Sequence, residues 1–168
     1  MLSLHPVLLA AGLVTLLAGC ATAPPPPSAD VYQAPVAGAS VATLKGSRFT
    51  EGGLFGEEHT GFVYMIDLQS VSGARDHWDQ AIALTPGKHA IMAEYRFSNF
   101  KARATLALTA SAGHSYQLMF KYGRDNTPEL TLFCNFWMVD WATGETVTPI
   151  HRAQVMGGKQ GTIFNVPT

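Results

Sequence analysis

The chain has 168 residues, of which 47% are hydrophobic, with 11 basic and 12 acidic side chains and a formal net charge of −1. This length and apolar content suffice for one domain with its own core. The basic residues are scattered, whereas binding to nucleic-acid phosphates needs clustered Lys and Arg. No nucleic-acid partner is therefore expected.

The first segment of the chain has the features of a signal sequence. Residues 7–18 form an apolar run that fits a signal h-region and is shorter than the ~20 residues that span a bilayer as a helix. The run ends in Leu17-Ala18-Gly19-Cys20, which resembles the lipobox of bacterial lipoproteins. The resemblance implies cleavage between Gly19 and Cys20 and attachment of acyl chains such as palmitate at Cys20. The alternative is an N-terminal core helix that ends in a cysteine by chance.

The segment after the lipobox predicts a tether. Residues 20–40 are rich in Ala, Pro, Ser and Gly, and Pro24–Pro27 favour an extended polyproline II conformation. Two or more acyl chains anchor a protein stably, whereas one chain binds reversibly. Ala21, rather than Asp, follows the cysteine, which by resemblance to the sorting rule of enteric bacteria implies the outer membrane. The expected location is the cell envelope, on the periplasmic side of that membrane.

From Val41 onward, apolar and polar residues alternate with a period of two, which is typical of strands with one face on a core. Turn signals such as Pro86-Gly87 separate these runs at the spacing of a sandwich or barrel. We expect an all-β fold, an antiparallel β-sandwich of seven to eight strands over residues 41–150, with a tail at 151–168. The predicted strands are 41–49, 61–70, 79–85, 88–97, 102–111, 114–122, 129–141 and 145–150. The tail is expected to be a loop or to add a short edge strand at 161–166.

The run 129–141 differs from the other predicted strands because both of its faces are apolar. A central strand covered on both sides has this pattern. The alternative is that Trp137 and Trp141 belong to an exposed aromatic patch that binds a partner. Phe55, in a Gly-rich loop over 51–58, is a further candidate for partner contact.

Three short stretches resemble small β domains of the bacterial envelope. Residues 84–91, LTPGKHAI, are similar to the L-x-P-G-x-H-x-I turn of PEGA-type modules. Residues 112–118 and 140–145 resemble the A-G-x-x-Y-x-L strand start and the D-x-x-T-G hairpin of small periplasmic lipoproteins. The resemblance implies an immunoglobulin- or transthyretin-like sandwich, and because its elements are turns it speaks to fold rather than to activity.

The sequence offers little catalytic chemistry. His77, His89 and His114 are the candidates for a metal site, but they lack the spacing of known zinc motifs, and no cofactor is expected. No G-x-S-x-G nucleophile motif is found. Cys134 lies in an apolar run, which predicts a buried and unreactive thiol.

The expected function is that of a membrane-anchored, non-enzymatic module with a structural or protein-binding role in the envelope. Its membrane contact is the lipid anchor, and an envelope protein of unidentified kind is the expected partner. Two alternatives stay open. One is a periplasmic protein that binds a metal or a small ligand, and the other is an accessory lipoprotein of a secretion system.

Overall fold

The computed structural model describes residues 30–52, 56–125 and 131–157. Within these residues the chain forms ten strands and no helix. Gly19, Cys20, Phe55 and the possible strand at 161–166 lie outside the described residues. The strands are β1 (Ala42–Lys45), β2 (Ser47–Glu51), β3 (Glu57–Ile66), β4 (Gln69–Ser70), β5 (Ile82–Leu84), β6 (Gly87–Phe97), β7 (Phe100–Ala110), β8 (Ser115–Arg124), β9 (Leu132–Asp140) and β10 (His151–Gln154).

The strands form two sheets that pack face to face, so the predicted all-β sandwich is confirmed. One sheet has the order β10-β9-β8-β1-β5, and we call it the β9 sheet; the other has the order β2-β3-β6-β7, with β4 beside β3. Every pairing is antiparallel except that of β1 with β8, which is parallel. The core between the sheets includes the fully buried residues Leu44, Ile91, Leu118 and Phe136.

The predicted strand 41–49 is divided at Gly46, because the chain passes there from one sheet to the other. Strand β1 belongs to the β9 sheet and β2 to the opposite sheet. The amide of Gly46 donates a 2.6 Å hydrogen bond to the carbonyl oxygen of Trp78. A Cβ atom at position 46 would lie 2.3 Å from the carbonyl oxygen of Gly61, so glycine permits this close passage of two backbones.

The predicted strand 145–150 is wrong, and the last strand begins where the tail was expected. In this segment only Thr146 forms a ladder bridge, to β9. The Thr148 hydroxyl accepts a 3.0 Å hydrogen bond from a β9 amide, and Pro149 has no amide to donate, so regular pairing stops. Pairing with β9 resumes at His151–Gln154.

The end of the expected tether contacts the sandwich. Val31 forms a bridge to Ser70 of β4, and the Tyr32 hydroxyl donates a 2.9 Å hydrogen bond to the carbonyl oxygen of Ala83 in β5. Val36 is exposed. Residues 21–29 therefore separate the candidate lipid site, Cys20, from the first contact with the domain that the structure shows, at Asp30.

The predicted strand 61–70 contains a tight turn. Strand β3 ends at Ile66, and Asp67 and Leu68 connect it to β4 with φ angles of 50° and 68°. Two left-handed residues are typical of a type I′ hairpin turn. The Asp67 carboxylate accepts a 2.8 Å hydrogen bond from the amide of Ala90, which holds the turn on β6. The Leu68 side chain has no polar group to form a similar hydrogen bond, and its Cβ atom makes the left-handed conformation unfavourable.

We expect the substitution Leu68→Gly to raise the free energy of unfolding by about 0.5–1 kcal/mol, because glycine adopts the left-handed conformation without steric cost. The Leu68 side chain is 70% exposed, so little packing is lost. Chemical denaturation of the variant measures the gain. Leu68→Ala retains Cβ and serves as the control that should show no gain, and equal stability of the two variants would contradict the assignment of strain.

Candidate interaction surface

The strands of the β9 sheet place two different sets of side chains on their two faces. On the inner face, Cys134, Phe136 and Met138 are fully buried. The intervening side chains of β9 point outward, together with those of the neighbouring strands. We call this outer surface of the β9 sheet the aromatic face. It comprises Lys45, Gln117, Met119, Lys121, Phe133, Asn135, Trp137, Val139, Trp141 and Arg152.

Strand register brings the large side chains of the aromatic face together. Met119 lies opposite Trp137, and Gln117 lies opposite Val139, on adjacent strands of the ladder. Such cross-strand neighbours contact each other on one face of a sheet. Trp137 is half-buried by this arrangement, while Trp141, just beyond the end of β9, is 60% exposed. The aromatic face is therefore more exposed to solvent than the inner face.

Positive charge surrounds these aromatic rings. The Lys45 ammonium lies 4.5 Å from the centre of the Trp141 ring, and the Arg152 guanidinium lies 3.6 Å from the centre of the Phe133 ring. Both contacts have the geometry of a cation–π interaction. In the part of the chain that the structure describes, neither Lys45 nor Lys121 forms an ion pair with a carboxylate.

The outer face of the opposite sheet has a different character. There the Glu94 side chain is 2% exposed and accepts hydrogen bonds of 2.6 Å from Arg96 and 2.5 Å from Arg103. Burial raises the pKa of Glu94, but the two guanidinium groups lower it more, so the net pKa lies below its usual value. The Glu94 carboxylate is thus held between two guanidinium groups, and Lys88 and Lys101 lie on the same outer face.

A cavity of about 590 Å³ opens beside the outer face of the β2-β3-β6-β7 sheet. Arg48, Arg75 and Trp78 line it, and Arg48 is paired with Glu58 at 3.0 Å. Its walls include part of the connection between β4 and β5, residues 71–81. Arginine in this cavity is accompanied by carboxylates, so the cavity is not a simple anion site.

The three candidate histidines do not converge on a metal site. His89 has both ring nitrogens occupied, with Nδ1 2.7 Å from an Asp67 carboxylate oxygen and Nε2 2.8 Å from the Thr85 carbonyl oxygen. No lone pair is then free for a metal. His114 Nδ1 lies 2.5 Å from Asp140, and His77 Nδ1 lies 3.0 Å from Gln80. Across residues 30–52, 56–125 and 131–157, no group of three or more His, Cys, Asp or Glu side chains is placed to hold a metal ion.

The structure confirms the prediction that Cys134 is buried. Its side chain is fully enclosed, and burial raises the pKa of the thiol to about 12. Since the thiolate is the reactive form, this cysteine is unreactive at neutral pH.

A buried histidine of β3 is a feature that the sequence did not predict. His59 is 1% exposed and packs between the rings of Phe49 and Phe97, with ring centres 4.7 and 4.4 Å away. Its Nδ1 lies 2.8 Å from the Tyr95 hydroxyl, but no described residue gives Nε2 a hydrogen-bond partner. The nearest acceptor shown, a Glu51 carboxylate oxygen, is 3.7 Å away. The period of two in β3 places His59 on the same face as the buried residues Gly61 and Val63, and this pattern could have predicted its burial.

The environment of His59 predicts a loss of stability in mild acid. Burial lowers the pKa of His59, although the charges of Glu51 and Glu57 partly oppose this effect. The unfolded chain therefore takes up the proton at higher pH than the folded chain. The contribution of His59 to the free energy of unfolding is fully present above the ordinary histidine pKa of about 6.5. It falls as pH drops below that value, by up to about 1.4 kcal/mol per pH unit.

Urea denaturation at pH 7, 6 and 5 tests this pH dependence. His59→Phe retains the ring stacking but removes the titrating group, so its stability should change less over this range. His151→Gln is the control, because His151 is exposed and should leave the pH dependence as it is. The assignment to His59 fails if the slope survives in His59→Phe.

Comparison of the chain with protein-family models, with curated proteins and with solved structures gave no match. No helix with the length and apolar character of a membrane span is found in the residues that the structure describes.

Proposed function

We propose that this chain is a lipid-anchored protein of the bacterial envelope whose β-sandwich serves as a non-enzymatic interaction module. The observation that carries the proposal is the aromatic face, where Trp141 is 60% exposed with Lys45 over its ring. Among the described residues, neither Lys45 nor Lys121 of this face has a carboxylate partner. Apolar side chains that remain partly exposed together on one face are typical of a binding site. The anchoring rests on the Leu17–Cys20 sequence, and acylation at Cys20 would keep the domain at the membrane.

The arrangement of side chains favours binding over catalysis. The Cys134 thiol has too high a pKa to act as a nucleophile, and His89 uses both nitrogens in hydrogen bonds that hold the Asp67–Leu68 turn and the β5–β6 connection. Catalytic groups need a free lone pair or an ionised form at the site of reaction. We therefore assign the functional residues to the aromatic face and to Cys20.

Metabolic labelling with a palmitate analogue, followed by membrane fractionation, tests the anchoring. The wild-type chain should carry the label and remain with membranes after a high-salt wash, and Cys20→Ser should lose the label. Cys134→Ser is the matched control, because it removes the other cysteine of the chain and should retain label and sedimentation. Labelling of the Cys20→Ser variant at the wild-type level would overturn the proposal.

A further inference from the structure

The aromatic face combines features that suit a lipid surface. Tryptophan side chains are enriched where a membrane meets water, since the ring is apolar and its N–H finds a polar partner. Trp137 and Trp141 lie on one side of the β9 sheet, with Met119 and Val139 beside them. The face therefore presents an apolar centre of the kind that enters the headgroup region of a bilayer.

The charge on this face selects the kind of surface. Lys45 and Lys121 point outward from β1 and β8, which both lie on the same side of β9 in the sheet. Lys45 contacts the Trp141 ring, and Lys121 lies opposite Asn135, two residues before Trp137. Asp140, at the end of β9, is occupied by His114, and Asp125 is occupied by Arg152, so neither neutralises the lysines. Glu145 is exposed in the turn that follows β9. Three cations, Lys45, Lys121 and Arg152, thus stand against Asp125 and Glu145, and the remaining positive charge complements an anionic surface. Each Lys near such a membrane contributes about 1 kcal/mol.

The proposed anchor would keep this face close to a bilayer. Nine residues, 21–29, separate Cys20 from the first contact with the domain at Asp30, and the ten steps of chain between them span at most about 35 Å. The chain enters the sandwich along β4 and β5, and β5 is the edge strand of the β9 sheet. A short tether raises the effective concentration of the membrane at the domain, so modest affinity of the face suffices.

We infer that the aromatic face docks on an anionic phospholipid surface, with Trp137 and Trp141 in the headgroup region and Lys45 and Lys121 against the phosphates. This inference rests on the proposed function for its location, but the binding itself needs no acyl chain. The domain would then lie with its β9 sheet against the membrane. The outer face of the opposite sheet, where Glu94 lies between Arg96 and Arg103, would point away from the membrane.

Vesicle binding by the unacylated chain tests the inference. The chain from residue 20 onward with Cys20→Ser contains all ten strands, since the first begins at Ala42. It is mixed with vesicles of phosphatidylcholine alone or with one third phosphatidylglycerol, at low and at high salt. We expect binding to the anionic vesicles at least tenfold tighter, with a strong decrease at high salt.

Two sets of variants locate the contact. Lys45→Gln with Lys121→Gln should weaken binding to the anionic vesicles about 30-fold, from about 1 kcal/mol for each lysine. Lys88→Gln with Lys101→Gln removes two lysines from the opposite sheet and should change binding less than twofold. Thermal melting of each variant verifies that the fold is intact. Equal losses in the two double variants would overturn the inference.

Tryptophan fluorescence gives a second readout. Membrane insertion should shift the emission to shorter wavelength, and this shift should persist in Trp78→Phe, since Trp78 lies beside the polar cavity. It should disappear when Trp137 and Trp141 are both replaced by Phe.

The two proposals fail in distinguishable ways. Absence of vesicle binding, or equal binding to neutral and anionic vesicles, overturns the lipid contact even if Cys20 is acylated in cells. Capture of a protein at the aromatic face without any vesicle binding would likewise replace the lipid by a protein partner. Vesicle binding by a chain whose Cys20 is never acylated would retain the lipid contact and remove the anchor.

Discussion

The substitution Phe136→Ala should lower the free energy of unfolding by about 3–5 kcal/mol. Phe136 is fully buried at the centre of β9, where it lies opposite Phe120 of β8 and His151 of β10. Removal of its ring loses the free energy gained by transferring the ring carbons from water to the core. It also leaves a cavity that the two tightly paired neighbouring strands cannot close. Urea denaturation with an unchanged m-value would measure this loss.

The adjacent residue provides a matched control for Phe136→Ala. Trp137 is also a large aromatic side chain of β9, but it points to the outer face and is only half-buried. We expect Trp137→Ala to cost about 1 kcal/mol, because the exposed part of the ring contributes no burial. Comparable losses in the two variants would contradict the assignment of inner and outer faces, and with it the open aromatic face.

The substitution Gly46→Ala should cost about 2–3 kcal/mol. The new Cβ would lie 2.3 Å from the Gly61 carbonyl oxygen and 2.8 Å from the Trp78 carbonyl oxygen. Both are backbone atoms, so the clash cannot be relieved by rotation of a side chain. Displacement of the strand crossing also weakens the hydrogen bond from the Gly46 amide to Trp78 and the one from Gln117 to the Gly46 carbonyl oxygen.

Gly38→Ala is the control for Gly46→Ala. No atom lies within 4 Å of a Cβ built at Gly38, and its φ angle is not in the left-handed region. This variant should remain within about 0.5 kcal/mol of the wild type. The measurement is the difference in the midpoint of thermal unfolding between the two variants. If Gly46→Ala were as stable as Gly38→Ala, the close crossing of the two backbones would be wrong.

Local alternation in the sequence was sufficient to predict most strands. The runs over 88–97, 102–111 and 114–122 lie within two residues of β6, β7 and β8 at each end. In these runs one face packs on the core and the other meets water, so the period of two is clear. Pro86-Gly87 before the first of these runs and Gly113 before the last have backbone preferences that act locally.

The sequence could not predict features that depend on distant partners. The break at Gly46 arises because Gly61 and Trp78 approach from other parts of the chain. The strand expected at 145–150 does not form because the Thr148 hydroxyl accepts the hydrogen bond of a β9 amide, and no local sequence pattern predicts that bond. The parallel pairing of β1 with β8 is equally non-local.

The candidate site was only partly predictable for a similar reason. Apolar residues on both faces of 129–141 have the same pattern whether the second face is covered or open. The exposure of Trp141 and the contact between Lys45 and its ring become visible only once β1 is placed beside β8. His59 was overlooked because a polar residue in a strand suggests the outer face, whereas here aromatic rings enclose it.

Photo-crosslinking in intact cells tests whether the aromatic face meets another component of the envelope. A photoreactive amino acid is placed at Gln117, on the aromatic face, or at Thr109, on the outer face of the opposite sheet. We predict that irradiation yields adducts with an envelope component, lipid above all, from position 117 and at least tenfold fewer from position 109. Equal yields from the two positions, or adducts from position 109 alone, would contradict the account.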